Sequence, residues 1–158
     1  MSKMFKIIAG GLGLIGLFMM FLPQVSLHLQ SGVNQTVGVG AFFGGTIGSG
    51  AETTDINTIK AGFAGYILLG VGGLLLLLCG LLKFFQEHDV VNYIVTGVAL
   101  VCLIVGIVMI FLIRKDFMET NGLLSKEVYV GIGAMIGGSL GGLAIAVGGI
   151  GFILDFAK

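Results

Sequence analysis

Few residues in this 158-residue chain have the types and spacing that chemistry needs. The densest titratable cluster is Glu87-His88-Asp89, two carboxylates around an imidazole, the donor set of many metal sites. Adjacent positions in a short connection read instead as a solvated turn. His28 has no second ligand near it in sequence. Gly11-Leu12-Gly13-Leu14-Ile15-Gly16 matches the dinucleotide-binding fingerprint letter for letter. That fingerprint works only where a strand gives way to a helix, with an acidic residue about 20 positions on. Here the glycines lie inside an apolar run, and 29 glycines make such matches by chance. Asn34-Gln35-Thr36 spells a glycosylation sequon, a common triplet that carries little weight. No nucleophile and base, metal set or acidic pair is apparent, so no enzyme, cofactor or small-molecule substrate is expected.

Two rings remain, Phe42 and Phe43, in the segment from Gln24 to Ala51, with Val37 and Val39 upstream. Aromatic side chains dominate interface energetics, so these four residues are the expected contact surface for a protein partner. In a strand the two rings would point to opposite faces, one inward and one available. The competing reading has both rings tucked onto helix ends or placed in the membrane interface.

The elements that hold this segment follow from composition. The chain is 56% hydrophobic and 10% charged, with no Trp, and its mean hydropathy is +1.11. These values mark an integral membrane protein. Eight basic and eight acidic residues scattered singly give zero net charge, which leaves no basic stripe for nucleic acid. A helix needs about 20 apolar residues to cross the hydrocarbon. Four segments qualify, near 4–22, 61–82, 92–113 and 128–154, with Lys6 the only charge inside them. Lys3, Lys6 and the apolar run also suit a signal peptide, but Leu22-Pro23-Gln24-Val25 offers no small-x-small cleavage site, so a retained helix ended by Pro23 is expected.

Residues 24–60 form the one long polar loop. Val25, Leu27 and Leu29 alternate with Ser26, His28 and Gln30, and the alternation resumes from Thr36 to Ala41. With turn chemistry at Ser31 to Gln35 between them, a β-hairpin is expected, and it must lean on helix ends or another chain. From Phe42 to Ala51 a third strand or a mobile stretch is expected. Thr53-Thr54-Asp55 and Asn57-Thr58 are candidate N-caps for a helical lead-in to the second span. Asn121-Gly122 reads as a turn in the third connection.

Small residues let helix backbones approach in lipid. The second span carries Gly65, Gly72, Gly73 and Gly80; the third carries Thr96, Ala99, Cys102 and Gly106. In the fourth, Gly133, Gly137 and Gly141 form one i+4 row and Ala134, Gly138, Gly142 and Ala146 the next, a face wide enough for two neighbours. Cys79 and Cys102 lie at depths of about 6 and 15 Å by helical rise. That offset puts them out of disulfide range, and they are expected to be inert packing residues. Basic residues divide evenly between the two sides. Dominance of the first helix and the single Lys of the long loop favour cytoplasmic termini in a plasma or inner membrane.

Four spans, a long strand-bearing first loop, a very short second connection, a medium third one and a first span ending in Leu22-Pro23-Gln24-Val25-Ser26 resemble the claudin and peripheral-myelin-protein tetraspan superfamily. The resemblance is architectural and spans the chain; the family's Trp and cysteine pair in the first loop have no counterpart here. It implies a left-handed four-helix bundle with an extracellular β-sheet on top, and roles in adhesion, lateral assembly or accessory-subunit work. The expected class is therefore an all-α four-helix membrane domain with a small β hairpin or sheet. Its expected role is a structural or accessory protein, alone in the bilayer as a homo-oligomer or with protein partners. The alternative is an oligomeric pore or small transporter.

Overall fold

The structure, a computed structural model, describes residues 1–29, 32, 34–49 and 52–157. Gln30, Ser31, Val33, Gly50 and Ala51 of the expected contact loop lie outside the described residues. Among the described residues, four helices are long and apolar enough to cross a membrane. The first, Ser2–Phe21, joins α1 (Ser2–Phe18) to a single 3-10 turn (Met19–Phe21) that stops ahead of Pro23. The others are α3 (Lys60–Leu81), α5 (Asp89–Phe111) and α7 (Ile132–Phe156). The chain is thus a multi-pass membrane protein built as a four-helix bundle with a small antiparallel sheet, as its composition and run lengths lead one to expect. α1 packs on α3 and α7, and α5 packs on the same two, so the helices close a ring in chain order.

Lipid tails are as apolar as Leu, so nothing drives large side chains inward. α5 shows the result: Ile94, Val98, Val101, Ile104 and Val108 face out, while Asn92, Thr96, Ala99 and Gly106 face in beside Leu103, Ile107 and Ile110. Backbones then meet directly. A Cβ at Gly73 of α3 would stand 2.9 Å from both Gly10 O and Leu14 N of α1. A Cβ at Gly106 would stand 2.7 Å from Gly65 O, and one at Gly65 would stand 2.9 Å from Gly106 O.

On α7 the expected two-row face needs correction. Gly133, Gly137 and Gly141 are buried, as are Ala134 and Gly138, the latter against the Phe111 ring at 2.8 Å from a built Cβ. Gly142 has nothing within 4 Å, and both Gly142 and Ala146 are exposed. Each four-residue step advances the helix by about 40° beyond a full turn, which carries the second row out of the bundle. The buried line continues instead through Ala144, Gly148 and Gly151, where steps of three residues alternate with one of four and cancel that drift.

The loops differ from expectation in several places. The first hairpin forms, but shorter, from β1 (Val25–His28) and β2 (Asn34–Val37). Residues 40–43 make one helical turn, α2 (Gly40–Phe43), not strand. A second hairpin follows, β3 (Thr46–Ser49) and β4 (Glu52–Asp55), so Thr53, Thr54 and Asp55 cap no helix. Ile59 stands at the N-cap of α3 with no side-chain bond. The second connection is a short helix, α4 (Lys83–Glu87). α5 runs on through Leu112 into α6 (Ile113–Asn121), which ends at Gly122 with φ 65°, where only a residue without a Cβ sits at ease. Val128 does not open the last span. It opens β5 (Val128–Val130), a β-branched triplet that pairs antiparallel with β1, giving the order β2-β1-β5.

Gly73→Leu should lower stability by about 1–3 kcal/mol, since the new side chain forces apart two backbones in contact. Gly142→Leu should leave the melting of the isolated protomer unchanged. Melting curves of both variants in the same detergent check the contrast.

Candidate interaction surface and buried polar cluster

The sheet joins both loops on one side of the bundle. Period-two alternation gives it two faces. Val25, Leu27, Val37 and Val128 are buried beneath it, while His28, Thr36 and Tyr129 look outward, with His28 and Tyr129 edge to face at 4.9 Å. Gln35 ties the second hairpin to the first, its amide bonding Thr46 O and Gly48 N, each at 3.0 Å. Along β5, alternate residues bond β1 through Glu127 O to His28 N and Gly131 N to Gln24 O, so Val128 and Val130 turn their backbone groups outward. Arg114 covers part of that edge, donating from Nε to Val128 O at 2.7 Å and from Nη2 to Ser125 O at 2.6 Å. Asn57 and Asn121 clasp the first loop to the end of α6, at 2.8 Å from Asn57 N to Asn121 Oδ1.

One residue bolts this sheet to the helices. Gln24 is fully buried and uses every polar group it has. Its N–H donates to Val37 O and its carbonyl accepts from Gly131 N, at 2.8 and 2.7 Å. Its Nε2 donates to Met19 O and Leu22 O, both at 2.8 Å, which satisfies carbonyls left over at the end of the first span. Tyr66 Oη, 2.7 Å from Gln24 Oε1 and 3.1 Å from Gly133 O, shares its one proton between them. The glycine at 133 admits the Gln24 side chain and the carbonyls of Met19 and Leu22 to the α7 backbone.

Of the four residues expected to meet a partner, one is on the surface. Val37 is buried under the sheet and Val39 is half-buried. Phe42 is buried at 6% exposure, its ring centroid 6.1 Å from Phe63 and 5.9 Å from Tyr66. Phe43 is 62% exposed and meets Phe63 edge to face at 5.1 Å. The split between inward and outward rings comes from a helical turn, not from a strand.

A second polar node closes the opposite end of the bundle. Lys6 is 1% exposed and Asp155 6%, with Nζ and Oδ2 2.5 Å apart. Asn92 completes the triangle: its Oδ1 accepts from Lys6 at 2.8 Å and its Nδ2 donates to Asp155 at 3.0 Å. Tyr93 donates its hydroxyl to Asp155 O at 2.8 Å. The last span therefore runs past Leu154 and carries a carboxylate, so Lys6 is not the only charge within the spans. Thr96, a turn deeper than Asn92, is buried, and its hydroxyl has no hydrogen-bond partner among the described residues. Cys79 and Cys102 both carry free thiols, Cys79 buried on this cluster. Between the two nodes, about 20 Å apart along α1 by helical rise, Leu69, Leu76 and Leu103 fill the centre at 0% exposure. Glu87, His88 and Asp89 are exposed, with His88 stacked on Phe84 at 4.6 Å.

Gln24, Tyr66, Arg114 and Asp155 were not singled out in sequence. Gln24 alone offered a signal, an amide placed straight after the proline that ends a span.

Removing one member of a buried pair leaves the other charge uncompensated. Lys6→Met should cost about 3–5 kcal/mol, and the double variant Lys6→Met/Asp155→Leu should regain most of it. A double-mutant cycle on detergent melting measures both. No protein-family model matches the chain, and no curated protein matches its sequence.

Proposed function

We propose that this protein is a structural or accessory membrane subunit that presents a stiff β platform to a protein partner and assembles laterally. The observation that carries the reading is the shared strand β1: it joins strands from both loops into one surface, and Gln24 fixes that surface to the helix ends. Such a surface is pre-organised, which lowers the entropy cost of binding. Phe43 is its exposed aromatic anchor, with Tyr129 on the outward face of the sheet. The outward small residues Gly142 and Ala146 support lateral contact between chains. The Leu-filled centre counts against a pore inside one protomer, so the alternative is a pore between protomers. The platform is assigned to the outer side, with both termini cytoplasmic in a plasma or inner membrane. The likeness to claudin-type tetraspans belongs to the same proposal, supported by the four spans and the strand-bearing first loop.

Two measurements test it. Phe43→Ser should abolish co-purification of native partners without changing the melting temperature, whereas Phe42→Ser should lower it. Partners retained by Phe43→Ser would refute the platform reading. Cysteines placed at Gly122 and Glu87, in a background lacking Cys79 and Cys102, should differ in intact cells, with an impermeant maleimide reaching only position 122.

A further inference from the structure

A polar cleft of about 380 Å³ enters the end of the bundle away from the platform, with Ser2 and Asp89 near the helix ends and Lys6 and Cys79 further in. Cys79 is 2% exposed. The Thr96 hydroxyl stands beside its thiol, at no geometry that makes a hydrogen bond. Thr96 is 0% exposed, and its hydroxyl has no partner among the described residues. A hydroxyl on a helix has a partner within reach in the carbonyl four residues back, and Ser139 on the outer face of α7 takes it, bonding Met135 O at 2.8 Å. Thr96 leaves Asn92 O unused and meets α3 instead. A second polar group on the cleft is uncommitted. An ammonium has three donors, and Asn92 Oδ1 and Asp155 Oδ2 take two of those on Lys6, which leaves one N–H without a partner among the described residues.

We propose that this cleft is a one-ended aqueous vestibule and that its inner end binds a water molecule, held by the Thr96 hydroxyl, the Cys79 thiol and the remaining N–H of Lys6. Three polar partners are the usual complement of a buried water. The cleft has room for about a dozen waters at ~30 Å³ each, so the bound one is the last of a group continuous with the solution. The ligand is neutral, because Lys6 and Asp155 cancel each other and an ion stripped of its hydration would meet no spare counter-charge. It is also small. Leu76, one turn further in on α3, is 0% exposed, and with Leu69 and Leu103 it closes the way to the other node. Water at this depth lowers the cost of keeping an ion pair within the spans. The site stands apart from the platform and holds whether or not the platform binds a partner.

The test uses the purified full chain in mild detergent. Thr96→Val keeps the shape of the side chain and removes the hydroxyl; it should lower the melting temperature by about 2–4 °C, the loss of one hydrogen bond in a chain of this size. The water itself is read by brief X-ray radiolysis, which turns bound water into hydroxyl radicals that oxidise the side chains they touch, followed by mass spectrometry. Cys79 should be oxidised severalfold faster than Cys102, which is the less buried of the two thiols but lies deeper in the spans. Thr96→Val should remove most of that advantage, and Thr96→Ser, which restores a hydroxyl, should keep it. Melting unchanged or raised in Thr96→Val overturns the site, since deleting a dry, unpartnered hydroxyl costs nothing. Lower melting with Cys79 oxidised no faster than Cys102 overturns it as well, because Thr96 then spends its hydroxyl on its own helix.

Discussion

Direct contact between backbones is the constraint on which this molecule depends. With no gain from hiding Leu or Ile from lipid, cohesion has to come from dispersion at close range and from polar groups that lipid cannot satisfy. The glycines of α3 serve two neighbours at once: Gly73 and Gly80 meet α1, while Gly65 and Gly72 meet α5. Were α3 held further out, Tyr66 could not reach across to Gln24 and Gly133. Close helix approach and the polar bolt are thus one arrangement seen at two depths.

Polar chemistry is confined to the two ends. Gln24 and Tyr66 close one and Lys6, Asn92 and Asp155 the other, with apolar side chains between. Hydrogen bonds in such surroundings are strong because water does not compete, and an unmade one is correspondingly costly. Each node therefore fixes geometry more than it adds stability. The platform end fixes the sheet against three helices, and the opposite end fixes the first helix against the last.

The spans were legible because their lengths and lack of charge leave a chain few other options in lipid. β1 was legible because Val25 and Leu27 alternate with Ser26 and His28. β5 was not, since Val128, Tyr129 and Val130 are apolar enough to merge into the run that follows, and only pairing with β1 separates them. Asp155 escaped because one carboxylate after a long apolar run reads as the end of a span, while its partner lies at the other end of the chain. Phe42 and Phe43 were misjudged in conformation, because α2 is a single turn held by its surroundings, too short for sequence periodicity to declare. Gly142 and Ala146 show the limit of row counting: i+4 rows wind around a helix, and which of them a neighbour covers depends on where that neighbour sits.

The ion pair between Lys6 and Asp155 spans a separation of 149 positions. During synthesis the chain emerges from its N-terminus, so Lys6 enters the bilayer long before its carboxylate exists. Until the final helix arrives, an ammonium at the membrane surface must be served by water, by phosphates or by the insertion machinery. The sheet obeys the same calendar, because β5 directly precedes that helix. Ring closure, charge neutralisation and completion of the sheet all await one helix, and any chain truncated before it would leave the ribosome with an open three-helix sector, a strand edge and a stranded cation, three features by which quality control could recognise it.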